Sequence, residues 1–178
     1  MNQVVPQPHP SRLTPFAGHP VVVGVVPGQP ELVALCAASL ATASGASLYF
    51  AYVDPLRVVD RELPDGSVLH SDLDPDLSDD EEWRQRQAEL ENAITRSLAG
   101  QTVSWQFRYL AGRADRALTH LARAVDAAVI IVGTRAGEGR RRAHHVLEGS
   151  VASHLTHHQH RPVLVVPLTV VDWKTPLT

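Results

Sequence analysis

Two short apolar runs, separated by a glycine-rich segment and a helical pattern, constrain most strongly what this chain can fold into. The first run, residues 127–132 (AAVIIV), is short and β-branched, which predicts a strand buried on both faces. The second run, residues 162–167 (PVLVVP), predicts another such strand between two prolines. A helical pattern opens at Ser150 and includes Val151 and Leu155. The stretch therefore predicts a strand, a glycine-rich loop, a helix and a second strand.

The glycines of this loop predict an anion-binding site. Gly133, Gly137, Gly139 and Gly149 follow the first strand, and Ser150 begins the helix. Because glycine has no side chain, backbone N–H groups can approach an anion closely there. A helix N-terminus adds unpaired N–H donors and a partial positive charge. We therefore expect a phosphate group to fit beside Gly149 and Ser150.

At these residues the chain resembles the universal stress protein family. ATP-binding members of that family carry glycine, two residues, glycine, nine residues, and then glycine followed by serine or threonine. Here nine residues separate Gly139 from Gly149, and Ser150 follows, whereas five residues separate Gly133 from Gly139. In element order, the resemblance covers residues 21–167.

The rest of the chain alternates between strand and helix patterns. Strands are predicted for residues 21–26, 48–53 and 103–110, and helices for residues 31–44, 78–99 and about 114–125. With the two strands above, five strands alternate with four helices, which predicts an α/β sandwich around a parallel sheet.

The resemblance adds a strand order and a ligand to this fold. It implies a three-layer sandwich whose five-stranded parallel sheet has the order 3-2-1-4-5, with a ligand crevice beside strands one and four. It also implies ATP, together with Mg, as a regulatory ligand. Arg140 belongs to a basic run that either neutralises phosphates or forms a solvated loop. The implied cofactor-binding residues are Val26, Val53, Gly133, Gly139, Arg140, Gly149, Ser150 and Val151.

Three segments interrupt or flank the alternation. Residues 1–20 contain five prolines and few large apolar groups, which predicts a flexible, Pro-rich N-terminal arm. Residues 54–77 carry prolines, one glycine and many acidic residues, which predicts a long acidic surface loop inside a stress protein domain at residues 21–168. Residues 169–178 form a C-terminal tail.

Composition narrows the classes of function. The chain has 178 residues, a net charge of −3 and a single cysteine, Cys36. This charge argues against a general nucleic-acid or membrane binder, and the lone cysteine favours a reducing compartment. No apolar run approaches the roughly 20 residues that span a bilayer, and residues 1–20 lack the pattern of a signal peptide. We therefore expect a cytoplasmic protein.

Neither a metal site nor a catalytic residue is predicted. His154, His157 and His158 share one helix face, but no Asp, Glu or Cys accompanies them, and basic residues near a helix C-terminus complement its dipole. The acidic run at residues 72–76 lacks the glycine and glutamate that a calcium-binding EF-hand needs. No spacing suggests a nucleophile with a base and an orienting group, so slow ATP turnover is the most that we expect.

Two functions stay open at this point. Family members that bind ATP carry Asp at the end of the first strand, where this chain has Val26 followed by Pro27 and Gly28. The first hypothesis is a stress protein regulated by ATP, and the second is a nucleotide-independent dimeric interaction module. In either case strand 162–167 would lie at a sheet edge, and the resemblance implies a homodimer through it.

Overall fold

In the computed structural model of the chain, residues 8–73, 80–134 and 151–168 are described. Their strands and helices follow the predicted alternation, with one added hairpin. In chain order they are β1 (Val21–Gly24), α1 (Leu32–Ser44), β2 (Leu48–Asp54), β3 (Arg57–Glu62), β4 (Val68–Asp72), α2 (Asp80–Ser97), β5 (Trp105–Ala111), α3 (Ala114–Ala124), β6 (Val129–Gly133), α4 (Val151–His158) and β7 (Val163–Val166).

The main sheet has five parallel strands in the order β5-β2-β1-β6-β7. When only the strands of this sheet are counted along the chain, the order is 3-2-1-4-5, which confirms the prediction. β1 is central, since Val22 pairs with Tyr49 of β2 on one side and with Ile130 of β6 on the other. The winding therefore reverses between β1 and β6, where a crevice forms at the carboxyl ends of the strands.

Each face of the sheet carries its own apolar core. Val23 of β1 belongs to the cluster that includes residues of α1 and α2, such as Val33 and Ile94. Val22 points the other way, into the cluster that includes Leu121 of α3 and Leu155 of α4. Both valines are fully buried, as expected for a central strand of a parallel sheet covered on both sides. The three-layer arrangement follows directly from these two clusters.

The segment predicted to be a long acidic loop is in part a hairpin, so that prediction was wrong for residues 57–62 and 68–72. β3 and β4 pair antiparallel in a separate two-stranded sheet, with Arg57 opposite Asp72. Pro64, Asp65 and Gly66 form the connecting turn, in which Gly66 has a positive φ of 81°. Glycine adopts that backbone conformation without the steric cost that other residues meet.

The described part of the N-terminal arm contacts the body of the protein, which the sequence did not predict. Pro10–Arg12 form a short 3-10 helix, and the Gly18 N–H donates to the Ser44 carbonyl oxygen over 2.9 Å. Asp126 accepts a hydrogen bond from the Thr14 hydroxyl at 3.4 Å and lies near the ring of His19. The arm is therefore attached beside the start of β6.

None of the helices described above is both long and apolar enough to cross a membrane.

Candidate functional site

A cleft of about 600 Å³ opens at the carboxyl ends of β1 and β6. This volume lies within the range of small-molecule pockets, and the position is where doubly wound sheets bind ligands. The structure brings four of the sequence-predicted site residues together around it, namely Val26, Val53, Gly133 and Val151. The other four, Gly139, Arg140, Gly149 and Ser150, lie outside the described residues, as does most of the glycine-rich loop.

A tight turn shapes the rim of the cleft. β1 was predicted to reach Val26, but it ends at Gly24 because the chain turns at Pro27 and Gly28. The Gln29 N–H donates to the Val26 carbonyl oxygen over 3.2 Å, and Gly28 has a φ of 71°. Proline second and glycine with positive φ third are the signature of a type II β-turn. The turn folds residue 29 back over residue 26.

The side chain of Gln29 reinforces this turn. Its Oε1 accepts a hydrogen bond from the Val26 N–H over 3.1 Å. Its Nε2 lies against Gly133 at the end of β6, where an added Cβ atom would come within 2.7 Å of it. One side chain thus bridges the ends of the two central strands.

Gly133 is required by close approach rather than by an unusual φ. A Cβ atom on it would also lie 2.7 Å from Cδ1 of Leu168 and 3.1 Å from Cγ2 of Val33. Real Cβ atoms essentially never come closer than 3.0 Å to such neighbours. Any larger residue at position 133 would therefore displace Gln29 or Leu168 at the cleft.

Thr134 fastens the end of β7 to the end of β6. Its N–H donates to the Val166 carbonyl oxygen, and its Oγ1 accepts from the Leu168 N–H, both over 2.8 Å. The bond to Thr134 positions Leu168 in the lining of the cleft.

The described lining of the cleft is uncharged. Among its residues only Gln29 and Thr134 have polar side chains, and the others are apolar residues or glycine. Val26 is 56% exposed at the rim, so its side chain is available for contact. Such a surface suits a flat, apolar ring held by a few hydrogen bonds, and it offers no titratable group for proton transfer.

The sequence profile of the universal stress protein family matches residues 19–167. The chain belongs to the universal stress protein family. No curated protein sequence matches it significantly. The family match spans β1 to β7, including every described element that lines the cleft.

Solved structures of other universal stress proteins share the fold. One from Archaeoglobus fulgidus, in complex with dAMP, is 19% identical with a TM-score of 0.57, and the alignment covers 83% of this chain and 97% of that one. One from Burkholderia pseudomallei is 23% identical with a TM-score of 0.56, covering 83% and 95%. A third, in complex with cAMP, is 23% identical with a TM-score of 0.55, covering 86% and 99%.

The histidines of α4 in this universal stress protein contact other residues of the same helix. The rings of His154 and His158 stack with their centroids 6.0 Å apart, and Nδ1 of His157 lies 2.7 Å from the Ser153 carbonyl oxygen. Within the described ranges, no group of three or more His, Cys, Asp or Glu side chains is arranged to hold a metal ion. The neighbouring Arg161 is buried and donates from Nε to the Ala127 carbonyl oxygen at 2.6 Å.

Three residues that shape the cleft of this universal stress protein, Gln29, Thr134 and Leu168, were not among the predicted site residues, although the loops holding Gln29 and Thr134 were expected to meet at the crevice. The signal for Gln29 was available, because a Pro-Gly pair in a type II turn returns the next residue toward the one before the proline. Leu168 carried no such signal, since its position follows from the pairing of β7 with β6 and from the bond to Thr134.

Proposed function

We propose that this universal stress protein binds an adenine nucleotide, ATP with Mg, in the cleft as a regulatory ligand in a stress response. The observation that carries the proposal is the convergence of Val26, Val53, Gly133 and Val151 on one cleft at the reversal between β1 and β6. These residues stand far apart in the sequence, and three of the elements concerned are parallel strands whose carboxyl ends meet there. Ligands in such sheets bind at that point.

The character of the lining supports the adenosine part of this ligand. Its described walls are apolar and uncharged, which suits a nucleobase better than a phosphate. The structurally similar proteins crystallised with dAMP and with cAMP both hold adenine nucleotides. Residues 135–150, with their glycines and arginines, supply the proposed contacts to the phosphates.

The proposed role is binding rather than rapid hydrolysis. The lining residues that the structure describes include no His, Asp, Glu, Lys, Tyr or Cys that could act as a general base. A ligand that is held without being turned over can bias the conformation or the partners of the protein that binds it.

Calorimetric titration with Mg-ATP tests the proposal. We expect saturable heat for the wild type, and a loss of at least about tenfold in affinity for Val53→Trp, which fills the cleft. Val58→Trp is the matched control, because Val58 lies on β3 away from the cleft and is 36% exposed. Absence of heat at millimolar nucleotide, with the protein folded, would refute the proposal.

We also propose a cytoplasmic homodimer formed through residues 162–167. β7 lies at an edge of the main sheet, and its Leu164 and Val165 are each 38% exposed. Unpaired edge strands with apolar side chains are association surfaces that proteins normally cover. The same strand of a second copy would cover this edge symmetrically.

A second candidate function is a dimeric interaction module that is independent of nucleotide. The observation favouring it is Val26, an apolar residue at the strand end where ATP-binding family members carry a carboxylate. Under this candidate, the calorimetric titration gives no heat and capture of a protein partner is unchanged by ATP. Capture that depends on ATP would contradict it.

A further inference from the structure

Two hydrogen bonds to Val26 fix the backbone and the side chain of Gln29 at the rim of the cleft. Its backbone N–H donates to the Val26 carbonyl oxygen, and its Oε1 accepts from the Val26 N–H. Pro27 inside the turn and Pro30 directly after it further restrict the backbone. The amide group is therefore pre-organised before any ligand arrives, which reduces the entropy lost on binding.

The two ends of this amide have fixed identities. Oxygen and nitrogen of a glutamine amide are assigned from their hydrogen-bond partners, and the Val26 N–H can only donate. The atom that faces Val26 must therefore be Oε1, and the NH₂ group lies on the other side, against Gly133. No described residue accepts a hydrogen bond from this Nε2, so its hydrogens remain for a ligand.

Thr134, the second polar side chain of the described lining, also accepts a hydrogen bond from the protein backbone. Thr134 uses an Oγ1 lone pair on the Leu168 N–H and keeps its hydroxyl hydrogen. Both polar side chains of the described lining thus accept hydrogen bonds from the protein and keep donor hydrogens available. A ligand atom that contacts either side chain through these hydrogens must be a hydrogen-bond acceptor.

We propose that Gln29 is a specificity-determining residue, which donates a hydrogen bond to a ring nitrogen of the bound adenine base. This inference rests on the proposed function and names how the same site recognises its ligand. Adenine has three ring acceptors, N1, N3 and N7, and one exocyclic amine, which is a donor. The NH₂ group of Gln29 can donate to any of these ring nitrogens. It cannot form a hydrogen bond with the exocyclic amine, because both groups are donors.

Adenosine triphosphates that lack one ring nitrogen test the assignment. The 1-deaza, 3-deaza and 7-deaza analogues each replace one acceptor by C–H and leave the shape of the base unchanged. For the wild type, we expect one of the three to bind about three- to tenfold more weakly than ATP, as for the loss of one hydrogen bond. The other two should bind about as well as ATP does.

Combining substitutions of Gln29 with the deaza analogues gives a thermodynamic cycle that measures the coupling between this side chain and the ring nitrogen. Gln29→Met keeps the length of the side chain without its donor, and we expect it to weaken ATP binding by about the same factor and to abolish the sensitivity to the deaza analogue. Gln29→Glu keeps an acceptor for the Val26 N–H but presents an acceptor to the ligand, and it should abolish the same sensitivity. Thermal unfolding establishes that each variant is folded.

The outcomes separate the inference from the function on which it rests. If the wild type binds ATP and all three analogues equally, or if the sensitive analogue still binds more weakly than ATP does in Gln29→Met and Gln29→Glu, the assignment to Gln29 is overturned while nucleotide binding stands. If the wild type binds neither ATP nor any analogue, the proposed function is contradicted and this inference is overturned with it.

Discussion

Tyr109 donates its phenolic hydrogen to Oδ2 of Asp54 over 2.5 Å, across the pairing of β5 with β2. Asp54 is only 2% exposed, and its carboxylate also accepts from Arg86 Nη1 and from the Leu56 N–H, both at 2.9 Å. Burial raises the pKa of Tyr109, as does its hydrogen bond to the Asp54 carboxylate. The hydrogen bonds of Asp54 therefore stabilise the segment in which the chain passes from β2 of the main sheet to β3 of the hairpin.

Tyr109→Phe should destabilise the protein. The substitution removes one of the donors of a buried carboxylate and leaves the shape of the ring intact. We expect the free energy of unfolding to fall by about 1–3 kcal/mol, since a buried acceptor that loses a partner keeps its desolvation cost. Urea unfolding measures this change. Tyr49→Phe is the matched control on neighbouring β2, because among the described residues the Tyr49 hydroxyl accepts a hydrogen bond only from Gln106 Nε2, at 3.3 Å and at an exposed site. A change within about 0.5 kcal/mol is expected there.

His70 should make the stability of the protein depend on pH. Its Nδ1 accepts from Nε of Arg57 at 2.6 Å, which only a neutral ring can do, and its ring meets Trp83 edge to face. Burial lowers the pKa of His70 below its ordinary value of 6.5, and the charge of Arg57 lowers it further. Three carboxylates act in the opposite direction, those of Asp54, Asp60 and Asp72.

The sign of this dependence follows from proton binding. Because the pKa of His70 is lower in the folded state, the unfolded state binds more protons as the pH falls below 6.5. The contribution of His70 to the free energy of unfolding should therefore not change with pH above 6.5, and it should decrease as the pH falls below that value. His70→Gln keeps an acceptor for Arg57 and cannot titrate. An identical pH profile for the wild type and His70→Gln would contradict the assignment.

Two glycines at the carboxyl ends of the central strands should respond differently to alanine. A Cβ atom on Gly24 would lie 3.1 Å from Cδ1 of Leu118 and 3.2 Å from Cγ1 of Val132, so these two buried side chains would have to shift by a few tenths of an ångström. Gly24→Ala should therefore cost about 1–3 kcal/mol of stability through overpacking.

At Gly133 the nearest atoms are instead the ends of the flexible Gln29 and Leu168 side chains, so Gly133→Ala should cost less stability than Gly24→Ala. It should weaken nucleotide binding by about tenfold, because it displaces Gln29. Chemical unfolding and calorimetry of both variants measure this contrast, and normal ligand affinity in folded Gly133→Ala would contradict it.

Leu164→Lys should convert the proposed homodimer into monomers. The substitution puts a charge on the exposed edge strand β7, and charged side chains on edge strands oppose pairing with another chain. Light scattering after size exclusion gives the mass directly. Leu69→Lys is the matched control on hairpin strand β4, where Leu69 is 51% exposed, and it should leave the mass unchanged. A wild type that is monomeric at high concentration would refute the dimer.

The sequence predicted the main sheet well because its strands satisfy the simplest rule of burial. β1 and β6 are runs of valine and isoleucine that end in glycine and are buried on both faces, as expected for central strands of a parallel sheet. The similar run of β7 was also predicted to be buried, which was wrong, because β7 lies at the sheet edge and its Leu164 and Val165 are each 38% exposed. Gly133 was predicted as a site residue because glycine lets backbone N–H groups approach an anion and because the family resemblance implies it, and its contact with a ligand stays a prediction.

The hairpin could not be predicted in the same way. Five of the six residues of β3 are exposed, and only Arg57 is buried, so no apolar alternation marks the strand. Arg57 is buried because His70, Asp72 and the ring of Trp83 surround its guanidinium group. These partners come from other elements, so the stabilising contacts exist only in the folded structure.

The central claim, that an adenine nucleotide occupies the cleft between β1 and β6, is tested most directly by titrating Mg-ATP into isotope-labelled protein and following the backbone amide signals. We expect saturable shifts at Val26, Val53, Gly133 and Val151, with the hairpin amide of Ser71 unaffected as an internal reference. No shift at these four amides, or saturable shifts confined to residues away from the cleft, would contradict the account.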